Sequence, residues 1–100
     1  MDIIQFINSI GYSNFESTVT TFFDENMALY NLVGGYSADF HINGEVVEDG
    51  SSIRFILDFK SKKDAKKMYD IISDKYIIIF NKRFDINETL IGPQIIVEFN

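Results

Sequence analysis

The stretch that decides the fold runs from Ser52 to Phe80 and reads SIRFILDFKSKKDAKKMYDIISDKYIIIF. Apolar residues alternate with others over residues 53–59, and this period of two predicts a strand. Residues 61–74 follow the period of a helix. The apolar run at residues 76–80 lacks alternation, which is typical of a strand buried on both faces. The stretch therefore predicts a strand, a helix and a second strand.

The helix at residues 61–74 has a clear start signal and a one-sided apolar stripe. Ser61 is followed three residues later by Asp64, a pairing typical of a helix N-terminus. The apolar stripe consists of Ala65, Met68, Tyr69 and Ile72. The nearby cations are Lys60, Lys62, Lys63, Lys66 and Lys67. We interpret these lysines as a solvated surface, because five cations on a chain of net charge −6 are a weak signal for nucleic-acid binding.

Two helices are predicted before the first strand. Asp2 and Gln5 form a capping box ahead of a short apolar helix that ends at Gly11. Apolar residues then recur at three- and four-residue steps across residues 14–33, which predicts a long second helix. Two shorter helices, or a β-hairpin that turns at residues 24–26, are the alternatives, because β-branched residues precede that point.

A three-stranded antiparallel meander is predicted next. Its first strand, at residues 36–42, alternates and is followed by Asn43 and Gly44. An Asn-Gly pair is the strongest short signal for a hairpin turn. Strands at residues 45–48 and 53–59 complete the predicted meander.

Such a turn would fix which charged side chains face each other. Asp39 would lie opposite Glu48, and two carboxylates opposed across a ladder destabilise it unless a cation lies between them. Arg54 of the third strand would be that cation. Removal of Arg54 is therefore expected to destabilise the sheet.

The remaining chain predicts antiparallel strands at residues 83–86 and 94–99, with the single proline, Pro93, at the end of the loop between them. Together the segments predict one α+β domain over residues 1–100, built as a two-layer sandwich. Isoleucines on the strand faces opposite the main apolar rows indicate that the sheet is covered on both faces, either by helices or by a second copy of the chain. A homodimer is one consequence of this pattern.

Composition excludes several classes of protein. The chain has no cysteine, so neither disulfides nor thiolate metal sites are expected. Its apolar runs are too short to span a membrane, and its first residues lack the basic segment of a signal peptide. We therefore expect a cytoplasmic protein. The net charge of −6 disfavours direct binding to nucleic acid or to a membrane.

The charge is unevenly distributed along the chain. Residues 1–53 contain eight acidic residues and no lysine or arginine, whereas all nine basic residues lie in residues 54–100. Carboxylates presented in this way attract a basic protein surface and accelerate association with it. The candidate partner-binding residues are Asp24, Glu25, Asp39, Glu45, Glu48 and Asp49.

Few residues are suited to catalysis or metal binding. With one histidine and no cysteine, nucleophilic triads have no support in the sequence. Asp39, His41 and Glu48 would share one face of the predicted meander and are suitable metal ligands, but their spacing matches no metal motif. We therefore expect no catalytic residue, no metal and no cofactor. A small metal-dependent enzyme centred on these three residues is the last alternative.

The sequence thus favours a non-enzymatic, acidic protein-binding module. An inhibitor, an immunity protein or a nucleic-acid mimic would use such a surface against a nuclease or another nucleic-acid-binding protein. The principal alternative is a structural or assembly protein that forms homo-oligomers through apolar sheet surface.

Overall fold

The computed structural model describes residues 2–34, 40–47 and 50–100, with the side chains of residues 29–34 excepted. Its elements are α1 (Ile3–Ile10), α2 (Tyr12–Gly34), β1 (Phe40–Val46), β2 (Ile53–Phe59), α3 (Lys62–Ile72), β3 (Tyr76–Ile79), β4 (Lys82–Asp85), β5 (Glu88–Ile91) and β6 (Gln94–Phe99). Strands β1, β2, β6 and β5 form, in that order, a four-stranded antiparallel sheet, and β3 pairs with β4 in a separate hairpin. The predicted α+β class is confirmed.

Local sequence signals set both ends of α1. The Asp2 carboxylate accepts a hydrogen bond from the Gln5 backbone N–H at 2.8 Å, and the Gln5 side chain accepts one from the Asp2 N–H at 3.2 Å. Gly11 ends the helix with φ of 91°, a conformation that favours glycine. The predicted capping box and helix end are confirmed.

Helix α2 is continuous, so the hairpin and two-helix alternatives are wrong. Its buried stripe consists of Phe15, Val19, Phe23 and Met27. The Phe15 ring lies 6.1 Å from the Phe55 ring of β2 and 5.5 Å from the Phe99 ring of β6, measured between centroids. This burial against the sheet outweighs the strand propensity of the β-branched residues, because intrinsic propensities are small by comparison.

Strand β1 continues through the Asn-Gly pair at residues 43–44, so the predicted turn is wrong. β1 instead pairs with β2 along its whole length. Residues 40–42 and 45–46 of the two predicted strands therefore belong to one strand, whereas residues 36–39 and 48 lie outside the described residues.

The glycine of this pair serves close packing rather than a turn. A Cβ atom at Gly44 would lie 2.7 Å from a ring carbon of Phe55 and 2.7 Å from the Tyr12 hydroxyl oxygen. Glycine in a strand often marks such a close approach. The chain turns after Val47, where the Gly50 N–H donates to the Val47 carbonyl at 2.7 Å and Gly50 adopts φ of 72°.

Helix α3 agrees with the prediction. Ser61 is its N-cap, and the Ser61 hydroxyl accepts a hydrogen bond from the Asp64 N–H at 3.1 Å. Three residues of the predicted stripe are buried and Tyr69 is half-buried. All five lysines of residues 60–67 are exposed.

Strand β3 differs from the prediction. Ile77 and Ile79 are buried, but Tyr76 and Ile78 are each 49% exposed. Within the described residues β4 is the sole strand partner of β3. The prediction of a strand buried on both faces is wrong, because β3 belongs to a peripheral hairpin that packs one face on the core.

The C-terminal strands agree with the prediction with one addition. β4 begins one residue earlier than expected, and β6 matches the predicted strand at residues 94–99. Strand β5 was not predicted, and it pairs with β6 across a two-residue connection, Gly92 and Pro93. The Pro93 carbonyl accepts a hydrogen bond from the Phe59 N–H at 2.9 Å, which ties this connection to β2.

All three helices lie on one side of the four-stranded sheet. The buried side chains of β2 and β6 alternate and face them: Ile53, Phe55, Leu57, Phe59, Ile95, Val97 and Phe99. The opposite face carries Ile56 and Ile96, which are directly paired and half-buried. No described helix packs on that face, so the expected arrangement with helices on both faces is wrong.

Candidate functional site

Of the acidic residues predicted to bind a partner, those that the structure describes lie on α2 and β1. Asp24 and Glu25 are exposed on α2, and Glu45 is exposed on β1. Glu16 and Thr20 of α2 line a concavity of about 380 Å³ together with residues of β1 and β2, so the two acidic elements are neighbours. The three carboxylates of Glu16, Asp24 and Glu45 are named the acidic side below, whereas Glu25 lines a separate concavity with Tyr76 and Ile78.

Asp39, Glu48 and Asp49 lie outside the described residues. In sequence they flank β1, one before its first residue and two beyond its end. The sequence prediction omits Glu16 from the site, because its position beside β1 depends on how α2 packs on the sheet.

Arg54 pairs with Glu45. The Arg54 Nε atom lies 2.8 Å from the Glu45 Oε1 atom, although the Nε–H makes no hydrogen bond, so the contact is an ion pair by proximity alone. In the sheet, Arg54 lies opposite Glu45 of β1 and Glu98 of β6. The predicted register, which placed Arg54 beside Asp39 and Glu48, is wrong because β1 continues where a turn was expected.

The carboxylates of Asp24 and Glu25 differ from that of Glu45. Neither forms an ion pair within the described ranges, and residues 1–53 contain no lysine or arginine. The lysines of residues 60–67 are exposed on and next to α3, where Lys66 pairs with Asp70. The unpaired acids of α2 and the lysines of residues 60–67 thus belong to different elements, and Lys75, which reaches α2, donates to the Asn26 side chain at 2.8 Å.

Tyr12, which is 40% exposed, links Glu16 of the acidic side to β1, because its hydroxyl lies close to Gly44. Burial, followed by a hydrogen bond to the Glu16 carboxylate and the charge of that carboxylate, raises the pKa of the Tyr12 phenol from 10.0 to about 12. The phenol is therefore neutral near pH 7 and donates to Glu16. This arrangement positions Glu16 and does not create a nucleophile or a base.

The metal-site alternative has little support in the described part of the chain. Among those residues no group of three or more histidine, cysteine, aspartate or glutamate side chains could hold a metal ion. His41 is exposed on β1 and lies opposite Asp58 of β2. The other two proposed ligands, Asp39 and Glu48, lie outside the described residues.

Comparison with known proteins does not identify the chain. No protein-family model, curated protein or solved structure matches the chain. Over the ranges that the structure describes, no helix is both long and apolar enough to cross a membrane. A functional proposal for this chain therefore depends on its surfaces.

Proposed function

We propose that the chain is a non-enzymatic protein-binding module that presents the acidic side to a basic protein surface. Its class is that of an inhibitor, an immunity protein or a nucleic-acid mimic. Its partner is a nuclease or another nucleic-acid-binding protein. A cytoplasmic location, and the absence of direct contact with nucleic acid or membrane, belong to the same proposal.

One observation carries the proposal, namely the separation of unpaired acids on α2 from lysines on α3. Asp24 and Glu25 are exposed and form no ion pair in the described residues. An uncompensated surface of one sign steers an oppositely charged partner and raises association rates by about 10- to 1,000-fold at low salt. Mutual attraction of this kind needs no pocket and no catalytic group.

Two charge reversals that change the net charge equally test the proposal. Asp24→Lys alters the acidic side, whereas Asp70→Lys alters an exposed carboxylate on the lysine-bearing α3. Proteins that bind the immobilised wild-type chain are captured from a cell extract and identified. The association rate of each purified partner is then measured with both variants.

We expect Asp24→Lys to slow association by about tenfold or more at low salt, and Asp70→Lys to change it by less than about twofold. Circular dichroism and thermal unfolding verify that both variants are folded. Equal effects of the two reversals would contradict binding through the acidic side.

A second candidate function, self-assembly through the open face of the four-stranded sheet, is favoured by a different observation. Ile56 and Ile96 form a half-buried pair at the centre of that face, Ile91 is 54% exposed, and no described element covers them. Burial of this apolar surface by a second copy would favour a dimer.

Light scattering at increasing protein concentration tests self-assembly. A dimer that Ile96→Glu converts to a monomer, while the variant stays folded, would support it. A wild-type chain that remains a strict monomer at high concentration would eliminate this candidate.

A further inference from the structure

Apolar exposure is concentrated at β3. Three of the six large apolar or aromatic side chains that are exposed within the described ranges belong to β3 and the turn after it. They are Tyr76, Ile78 and Phe80, with exposed fractions of 49%, 49% and 57%. Phe80 also adopts φ of 48°, in the left-handed region, which is rare for a bulky residue. Contiguous apolar exposure of this kind marks interaction surfaces.

The same strand has an open backbone edge. The Ile86 N–H donates to the Lys75 carbonyl at 3.1 Å, so Lys75 directs its backbone groups toward the β4 side of the hairpin. Successive residues of a strand direct these groups to opposite sides. Tyr76 and Ile78 therefore direct their N–H and C=O groups away from β4, where the described residues provide no strand partner.

Helix α2 forms the opposite wall of a groove along this edge. The groove has a volume of about 360 Å³, and Thr21, Phe22 and Glu25 of α2 line it across from Tyr76 and Ile78. This volume is at the lower end of the range of about 300–1,000 Å³ for ligand pockets. Among the described residues that line the groove, Glu25 is the single charged one.

We propose that this groove is a strand-addition site for an extended segment of a partner protein. The segment pairs with the backbone of Tyr76 and Ile78 and places alternate apolar side chains against Ile78 and Phe22. A lysine or arginine of the segment lies beside Glu25. The inference rests on the proposed function in one respect, since Glu25 is one of the unpaired acids of α2 and selects a basic segment.

A second copy of the chain fits this groove less well. The segment it would offer is its own β3, Tyr76–Ile79, which contains no cation, and the lysine just before it, Lys75, already donates to the Asn26 side chain of its own α2 at 2.8 Å. In addition, the open edge of that β3 is already lined by its own α2. Charge complementarity therefore favours a basic, apolar segment of a different protein.

A random peptide library displayed on phage serves as the probe. The library is panned against the wild-type chain and against Glu25→Lys, and an enriched peptide is synthesised for titration. Ile78→Pro removes an outward N–H without removing a hydrogen bond to β4, whereas Ile78→Val keeps that N–H and serves as the matched control. Hydrogen exchange of the Tyr76 and Ile78 amides is followed in the wild-type chain.

Peptides enriched on the wild type are expected to combine alternating apolar residues with a lysine or arginine. Ile78→Pro should weaken binding of the enriched peptide by about tenfold, and Ile78→Val by less than about twofold. Panning against Glu25→Lys should select acidic peptides instead. The bound peptide should slow exchange of both amides, a measurement that holds even if Ile78→Pro fails to fold.

Several results would overturn the inference: no enrichment, enrichment without a cation, undiminished binding to Ile78→Pro, or unchanged amide exchange. A wild-type dimer that Ile78→Pro abolishes would also overturn it, in favour of a second copy in the groove. The acidic-side proposal would survive any of these results. It is tested separately by Asp24→Lys, because Asp24 does not line the groove.

Discussion

Strands β1 and β3 both lie beside α2, and each departs from its sequence signal in a different way. β1 contains the strongest turn signal in the chain, yet it is a continuous strand because the glycine of that signal makes room for Phe55 and Tyr12. β3 is apolar throughout, yet every second side chain is half exposed. The comparison teaches that α2 has two different flanks. The flank toward β1 bears Glu16, and the flank toward β3 combines hydroxyl side chains and Glu25 with the apolar Phe22.

The largest expected effect separates the two faces of β3. Ile79→Asp should abolish folding, because an unpaired carboxylate in the core costs more than about 4 kcal/mol out of a typical stability of about 5–15 kcal/mol. The matched change Ile78→Asp should cost no more than about 1 kcal/mol, since this side chain is half exposed. Urea unfolding followed by circular dichroism measures both, and an unfolded Ile78→Asp would contradict the exposed face.

The next effect concerns close packing in β1. Gly44→Ala should destabilise the fold by about 1–3 kcal/mol, because the added Cβ would overlap the Phe55 ring and the Tyr12 hydroxyl. Adding Tyr12→Phe to Gly44→Ala should restore part of that loss by removing the hydroxyl. Free energies of unfolding from urea titrations give both values. An unchanged stability of Gly44→Ala would contradict the close approach of Phe55 and Tyr12 to this position.

A smaller effect is expected at the ion pair of β1 and β2. Arg54→Ala should lower the free energy of unfolding by about 0.5 kcal/mol, because the Arg54 and Glu45 side chains are 38% and 52% exposed and solvent weakens their attraction. A double-mutant cycle with Glu45→Ala measures the coupling between them. A coupling above about 2 kcal/mol would mean that the pair is far better shielded than its exposure indicates.

The last effect depends on pH. The pKa of Tyr12 is raised from 10.0 to about 12 in the folded chain, so folding favours the neutral phenol. Its contribution to stability is present below pH 10, the ordinary pKa, and is lost as the pH rises toward about 12. Tyr12→Phe should therefore lose less stability than the wild type between these pH values. Urea midpoints measured across this range check it, and identical pH profiles would contradict the raised pKa.

The helices could be predicted from sequence because their signals are local. The capping residues Asp2 and Ser61 and the apolar stripe of α2 lie within the elements that they define. The Asn-Gly pair could not be resolved locally, since a glycine required by a turn and a glycine required by packing look alike. Strand β5 escaped prediction because it is short and none of its side chains is fully buried.

The candidate site was predictable only in part. The exposure of Asp24 and Glu25 can be predicted because they lie between buried residues of α2. The proximity of Glu16 to β1 could not be predicted, because it depends on how α2 packs on the sheet. The exposed face of β3 did have a sequence signal. Its partners across the hairpin, Asp85 and Arg83, are charged, and side chains that share a face with charges tend to be solvated.

Binding of a captured partner at two salt concentrations tests the central claim, that the acidic side is the binding surface, most directly. Electrostatic attraction between exposed charges extends about 10 Å at about 0.1 M salt and about 3 Å at about 1 M. The dissociation constant of the wild-type complex should therefore increase by at least about tenfold between these two conditions. Equal dissociation constants at both salt concentrations would contradict the claim.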